Sequence, residues 1–252
     1  MIEPAPSTEE DAIRDRAIGA LIGLAVGDAV GTTLEFKQRD SYPRLTDMVG
    51  GGPFRLKPGQ WTDDTSMALA LADSLLVADG FDPEDLMRRF VAWRDEGAYS
   101  CTGTCFDIGM TVSSALSRWQ RSGDPLAGST DPNSAGNGSL MRLSPVAIRH
   151  WQDREKLRHI AALQSRTTHT APEAVSACVA YAELIADAIA GQPRHAVLAP
   201  RETDRVGRIA ETMGARGVEH CAMASVRVVV SPIRSRLRCG RSGVPAISAR
   251  LY

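Results

Sequence analysis

Apolar residues recur along this chain at helical rather than alternating spacing, and clusters of Gly, Pro and polar residues interrupt them at short intervals. Residues 12–31 read as one helix whose glycines fall every fourth residue: Gly19, Gly23, Gly27 and Gly31. That spacing leaves a bare stripe on one face, where another backbone can come close. Asp28 sits within the stripe and the uncharged run is too short for a bilayer, so the expectation is a buried helix of a soluble protein. A Gly/Pro-rich loop over residues 50–59 leads into residues 60–72, where four oxygen-bearing side chains precede an Ala/Leu helix. Thr62 is the expected N-cap there, with Asp63 and Asp64 in the first turn. Asp82-Pro83-Glu84-Asp85 opens the next helix, Leu86, Phe90, Val91 and Trp93 give it an apolar face, and Gly97 closes it. Residues 111–121 repeat the pattern with Val112, Ala115, Leu116 and Trp119. A polar loop over residues 122–134 brings the chain to Gly136-Asn137-Gly138-Ser139-Leu140-Met141-Arg142 and a following helix, which Ser144-Pro145 breaks or restarts before His150. Helices over residues 155–166 and 172–190, joined by a polar connector over 167–170, complete the series. No stretch before residue 195 sustains a period of two, so the predicted fold is all-α, a compact single-domain bundle with polar motifs on short loops.

Composition narrows the function classes. With 252 residues the chain can bury a substantial core, and 43% apolar with 23% charged residues is ordinary for a soluble globular protein. A net charge of −1 argues against nonspecific nucleic-acid binding. The five cysteines are odd in number and scattered, which implies no disulfide framework. Cys101 and Cys105 lack a second Cys/His pair at zinc-site spacing and read as packing thiols. The acidic, proline-bearing start is unlike a signal peptide, which points to a cytoplasmic protein with no membrane partner. Charge is divided unevenly: residues 196–252 hold ten arginines, no lysine and four acids, a formal +6, against −7 for residues 1–195. That divides the chain into a helical domain over 12–195 and an Arg-rich tail over 196–252. The tail has two readings: a basic segment for an acidic partner, or the product of a slipped reading frame.

Several residues carry candidate chemistry. On a helix, Asp63 and Asp64 diverge by about 100°, so they do not share one surface salt bridge. They suit two neighbouring hard cations with the Thr62 hydroxyl as a further donor, or else they are simply the acids of a well-capped helix. Asp28 is a candidate buried carboxylate, a cap or a residue that holds a loop beside a site. Glu35 follows the first helix, and Asp107 lies close to the start of residues 111–121, where a cap is equally admissible. Gly136 and Gly138 allow backbone to approach a ligand, and the helix after them would offer unpaired amides for a diphosphate or sugar hydroxyls; the alternative is a common Asn-Gly turn. His169 is a ligand contact or a satisfied loop histidine.

In chain order the motifs are Gly27-Asp28-Ala29-Val30-Gly31 with Glu35, Trp61-Thr62-Asp63-Asp64-Thr65, Gly103-Thr104-Cys105-Phe106-Asp107-Ile108-Gly109, Gly136-Asn137-Gly138-Ser139-Leu140-Met141-Arg142, and Thr168-His169. Each is weak singly, but the series resembles the ADP-ribosylglycohydrolase family, the relatives of dinitrogenase-reductase-activating glycohydrolase. The resemblance covers roughly residues 16–190. It implies an all-α fold with a two-magnesium site that removes ADP-ribose from modified protein side chains or small-molecule conjugates. By resemblance, Thr62, Asp63 and Asp64 ligate Mg²⁺, and Glu35, Asp63, Asp64 and Asp107 form the catalytic set. Asp107 lines the acceptor side. Gly136, Asn137, Gly138 and Ser139 hold the phosphates and ribose, His169 contacts the nucleotide part, and Asp28 is structural. The chemistry is consistent with such a site. Cleavage of a ribosyl bond builds positive charge at the anomeric carbon, and oxygen donors suit Mg²⁺ where no His/Cys cluster competes. With only three lysines in the chain, a diphosphate would rest on backbone amides. Two departures stand out. Met110 occupies a position that is polar in many bacterial members, and no Asp-x-Asp-Thr segment, which in the family completes both metals, follows residue 190. The second metal site is therefore expected to be deficient. The alternative function is a catalytically impaired ADP-ribose-binding or protein-binding module.

Overall fold

Capping chemistry sets several helix boundaries in this structure, a computed structural model. It describes residues 8–200, except Arg39, Asp40, Arg44, Ala78 and Asp79, together with Ile209. Helix α1 spans Glu9–Gly31 and starts earlier than its apolar pattern, because Thr8 and Asp11 close a reciprocal capping box. After a short turn at Thr32–Leu34 and a long loop come α2 (Asp63–Val77) and α3 (Pro83–Glu96). Asp82 accepts hydrogen bonds from the amides of Glu84 and Asp85, and Gly97 ends α3 at φ 75°. A Cβ on Gly97 would fall 2.0 Å from the Gly103 carbonyl oxygen, so the loop leading to Asp107 packs directly against this helix end. Helices α4 (Met110–Ser122), α5 (Ser144–His150), α6 (Arg154–Arg166), α7 (Pro172–Ile189) and α8 (Arg194–Val197) follow. No strand occurs among the described residues, so the bundle is all-α as expected.

The core sits between two helix pairs. Helix α2 packs on α3 and α5, α7 packs on α6 and α5, and α1 runs across α2, α5 and α7. One continuous cluster joins Met67, Leu71 and Leu75 of α2 to Leu86, Met87, Phe90 and Trp93 of α3, Val112 and Leu116 of α4, and Ile185 and Ile189 of α7. Each fully buried aliphatic or aromatic side chain there contributes about 1.5–3 kcal/mol relative to exposure. Arg16 of α1 donates from Nε to the Ile189 carbonyl at 2.8 Å, a cation at the negative end of α7.

Three findings differ from the sequence expectations. Helix α1 is buried only at its C-terminal end, at Asp28, Ala29 and Gly31, while Ile18 and Ile22 are 53% and 54% exposed. Apart from α1's own nearby backbone and the two chain neighbours, no described atom lies within 4 Å of where a Cβ on Gly27 would be. With 23 residues, α1 is roughly 35 Å long and outruns α2, which has 15, so it is not covered along its length. Although α1 and its following turn are long and apolar enough by composition to cross a membrane, the end that carries Asp28 packs into the bundle. Second, the Gly136–Ser139 loop does not open a long helix. Leu140 and Met141 donate to the Asn137 carbonyl in a single turn, and α5 starts afresh at Ser144 because Pro145 has no N–H to continue the ladder. Third, packing does not end at residue 195. Helix α8 crosses that boundary with Val197 buried, and Ile209 clusters with Ala177 and Ala180 of α7. The other residues of the tail division lie outside the described residues.

Candidate functional site

Asp28 builds the first half of the site. Its carboxylate accepts from the Thr62 amide at 2.9 Å and hydroxyl at 2.7 Å, and from the Thr65 amide at 3.1 Å and hydroxyl at 2.7 Å. It is 4% exposed, so a buried acid from α1 satisfies the first amides of α2. The Thr62 carbonyl meanwhile takes the Ser66 amide and hydroxyl, the pattern expected of a residue at a helix start. The Thr62 side chain also hydrogen-bonds with Asp63, so one hydroxyl ties the buried Asp28 to the first acid of α2.

Asp63 and Asp64 follow in the first turn, half-buried beside Asp107. Burial, then the neighbouring charges of Asp64, Asp107 and Asp28, drive the Asp63 carboxyl well above the usual carboxylate range. Burial, Asp28 and Asp107 do the same to Asp64. Asp107 is raised to about 7 by burial and then by Asp28, against a hydrogen bond with Asp63. Its backbone is left-handed at φ 59°, which costs a non-glycine residue about 1 kcal/mol and marks a held position. Glu35 is buried just past the turn that ends α1. Phe36 and Phe106, the neighbours of Glu35 and Asp107, both stack on Phe54, with ring centroids 6.3 and 5.3 Å away. This aromatic trio joins the segment of Glu35 to that of Asp107.

The chemistry of this donor set suits a hard cation. It offers only oxygen, and its carboxylates raise one another's proton affinity, a repulsion that a divalent ion relieves. Its count is short of a closed site, since among the described residues no three His, Cys, Asp or Glu side chains converge on one point. The half-buried Cys105 thiol nearby is pushed up to about 11 by burial and then by Asp63, which makes it a poor soft ligand.

The second half is the glycine loop. The amides of Asn137, Gly138 and Ser139 donate to no acceptor among the described residues, whereas the Gly136 amide is taken by the Ser134 carbonyl. Two buried side chains hold the carbonyls of the same turn: Arg142 donates from Nη1 to Gly138 O at 3.2 Å, and Gln164 from Nε2 to Ser139 O at 3.0 Å. The Ser139 hydroxyl faces inward, 2.9 Å from the Ser165 hydroxyl, with the Cys178 thiol donating to it. Ser139 therefore offers a ligand its backbone and not its side chain. His169 lies beneath the loop, 2% exposed, with Nδ1 2.9 Å from the Thr168 hydroxyl. Burial, and then the Arg142 charge, lower it to about 3, so it is a neutral ring at physiological pH. Cβ atoms on Gly136 and Gly138 would sit 3.5 and 3.3 Å from His169 Nε2. His169 thus packs under the loop, and the bare Gly136 and Gly138 leave room for its ring.

Helix α4 links the two halves, because Asp107 leads into its first turn and Val112 Cγ2 lies 3.1 Å from the Cβ position of Gly138. Sequence reasoning missed Gln164 and the aromatic trio. The helical pattern gives no sign that Gln164 faces inward, and the trio joins three separate loops.

The family described as ADP-ribosylglycohydrolase matches residues 9–249. The chain is 48% identical over 193 residues to the ADP-ribosylarginine hydrolase Tri1 of Pseudomonas putida, covering 77% of this chain and 52% of that protein. It is 35% identical over 184 residues to the ADP-ribosyl-[dinitrogen reductase] glycohydrolase of Rhodospirillum rubrum, covering 71% of this chain and 60% of that one. Among solved structures, an ADP-ribosylglycohydrolase-related protein complex superposes with a TM-score of 0.70 at 41% identity, covering 80% of this chain and 66% of that chain. The chain spans about half to three-fifths of the length of these curated relatives.

Proposed function

The chain belongs to the ADP-ribosylglycohydrolase family, and from that premise we propose that it hydrolyses the bond between ADP-ribose and a modified acceptor, an arginine side chain first among the candidates. Two relatives are named for ADP-ribosylarginine and for ADP-ribosylated dinitrogen reductase, which supports this substrate class. One observation carries the reading: carboxylates around the start of α2 and three uncommitted amides at Asn137–Ser139 are joined through the first turn of α4.

The residues divide the work as follows. The amides of Asn137, Gly138 and Ser139 would receive the diphosphate, presented by the Arg142 and Gln164 bonds to the carbonyls behind them. Thr62, Asp63 and Asp64 would hold Mg²⁺, with Asp28 fixing the Thr62 hydroxyl. Magnesium held there supplies fixed positive charge that orients ribose hydroxyls and eases deprotonation of water. Hydrolysis adds water across the glycosidic bond: oxygen joins the anomeric carbon and a proton goes to the departing nitrogen or oxygen. Asp107, whose carboxyl burial raises to about 7, would be the group that carries that proton. Glu35 stays a candidate for the same set through the Phe36–Phe54–Phe106 contact.

A second reading is favoured by the short count of converging metal ligands: a module that binds ADP-ribose and turns over slowly or not at all. The deciding experiment is release of ADP-ribose from ADP-ribosyl-arginine by the 252-residue chain, with and without Mg²⁺. Mg²⁺-dependent release supports the hydrolase. Binding of ADP-ribose without release supports the module, and neither would refute both.

A further inference from the structure

Arg142 is an anomaly in this interior. It is 0% exposed, and its guanidinium donates from Nε to Gln164 Oε1 at 2.9 Å, from Nη1 to Gly138 O at 3.2 Å, and from Nη2 to Gln164 O at 2.7 Å and Thr167 Oγ1 at 3.1 Å. Its face lies over the Phe90 ring, 4.6 Å from the centroid. Every acceptor is neutral, and no carboxylate pairs with it among the described residues. Burying a cation without a counter-ion is among the costliest arrangements a core can contain. The Gln164 carbonyl lies in the last turn of α6, whose negative end offsets part of the charge, yet a neutral amide could bridge some of the same carbonyls at lower cost.

We propose that Arg142 is a positioning residue whose unpaired charge completes an anion site on the outer side of the Gly138–Ser139 peptide, occupied by the diphosphate of ADP-ribose. The inference rests on the function proposed above, which supplies the anion. Geometry carries it. All peptide bonds among the described residues are trans, so a carbonyl and the amide N–H of the same unit point in opposite directions. With the Gly138 oxygen drawn to Arg142, the Ser139 N–H must point away from it, and that amide has no acceptor among the described residues. A charged donor on the carbonyl also polarises the peptide and makes its N–H a stronger donor. The guanidinium then stands on the order of 8 Å behind a bound anion, where at an effective dielectric of about 20 one charge changes affinity by roughly tenfold or more. Burial lowers the guanidinium to about 9 and leaves it protonated at neutral pH.

The test is calorimetric binding of ADP-ribose and of adenosine, which lacks the phosphates, to wild type, Arg142→Lys and Arg142→Met. Arg142→Met should weaken ADP-ribose binding about tenfold and change adenosine binding less than twofold, while Arg142→Lys should recover most of the loss. Equal losses for both ligands would mean that Arg142 only supports the fold, and no loss for either would likewise overturn the proposal. Should Arg142→Met not fold, Mg²⁺-free melting of wild type and Arg142→Lys with inorganic pyrophosphate decides. A pyrophosphate-dependent rise in Tm in both, with displacement of ADP-ribose, is the expected result, and no rise overturns the anion site. If wild type binds no ADP-ribose at all, the proposed function itself fails, whatever pyrophosphate does.

Discussion

Gly138→Ala is the sharpest probe of how the loop is built. An ideal Cβ on Gly138 lies 2.8 Å from His169 Cε1 and 3.1 Å from Val112 Cγ2. Relaxed carbon contacts are about 3.5–4.0 Å, so the ring or the loop must yield by roughly 0.7 Å or more. His169 has little room to move. Its ring is tied to Thr168, its amide donates to Ser165 O at 2.6 Å, and its carbonyl accepts from the Ser165 hydroxyl at 2.9 Å. Overpacking at such a site costs about 1–3 kcal/mol, which for a domain of this size lowers Tm by roughly 3–10 °C. The same substitution in a His169→Ala background removes the closest clash and leaves Val112 as the nearest neighbour. The two costs should then differ by about 1 kcal/mol or more, a coupling that a double-mutant cycle measures directly. Urea denaturation of the four proteins supplies it. If Gly138→Ala costs the same in both backgrounds, the glycine is not there for His169. If it costs no stability and only weakens ADP-ribose binding, the glycine serves approach of the ligand.

The other expectations concern charge. His169 stays unprotonated in the folded protein down to about 3, while in the unfolded chain it takes up a proton below about 6.5; stability is therefore lost as pH falls through that window. By pH 5 the loss is about 2 kcal/mol, and it should be missing from His169→Gln when the two melting profiles are subtracted; identical slopes would contradict it. Asp28→Ala strands the buried amides of Thr62 and Thr65 and should cost about 3 kcal/mol in urea denaturation, whereas a loss below about 1 kcal/mol would show that water replaces the cap. Asp63→Asn relieves the repulsion among Asp63, Asp64, Asp107 and Asp28, so without metal at pH 7.5 it should melt no lower than wild type; Mg²⁺ should raise Tm in wild type only, and an equal rise in both would remove Asp63 from the ligands.

Much of this architecture is legible in local sequence because local signals are short-range physics. Asp82 with Pro83 and a following Gly97 bounds α3 within a residue, and the apolar stripe of α4 is the stripe the core buries. The start of α1 is hidden because its box uses Asp11 in place of the longer Glu or Gln that the pattern looks for. The acids of the site are visible as types, and their tertiary partners are not. Nothing in the spacing between Asp28 and Thr62 says that one carboxylate will span it, and nothing near Ser139 says that its hydroxyl turns inward to Ser165. Glycines are the most ambiguous letters. The sequence offers Gly138 for a ligand's approach or for a turn, and the structure adds a third claim on the same space, the His169 ring, since a missing side chain does not record what needs its room.

The Asp28 cap has a further consequence, for the order in which the molecule assembles. Amides in the first turn of an ordinary helix exchange rapidly with solvent, because no earlier turn accepts from them. Here the Thr62 and Thr65 amides are held by a residue 34 and 37 positions away in the chain. Their protection cannot come from α2 alone and appears only once the end of α1 is seated. Deuterium uptake at these two amides is therefore a local clock for docking of α1, readable apart from global unfolding.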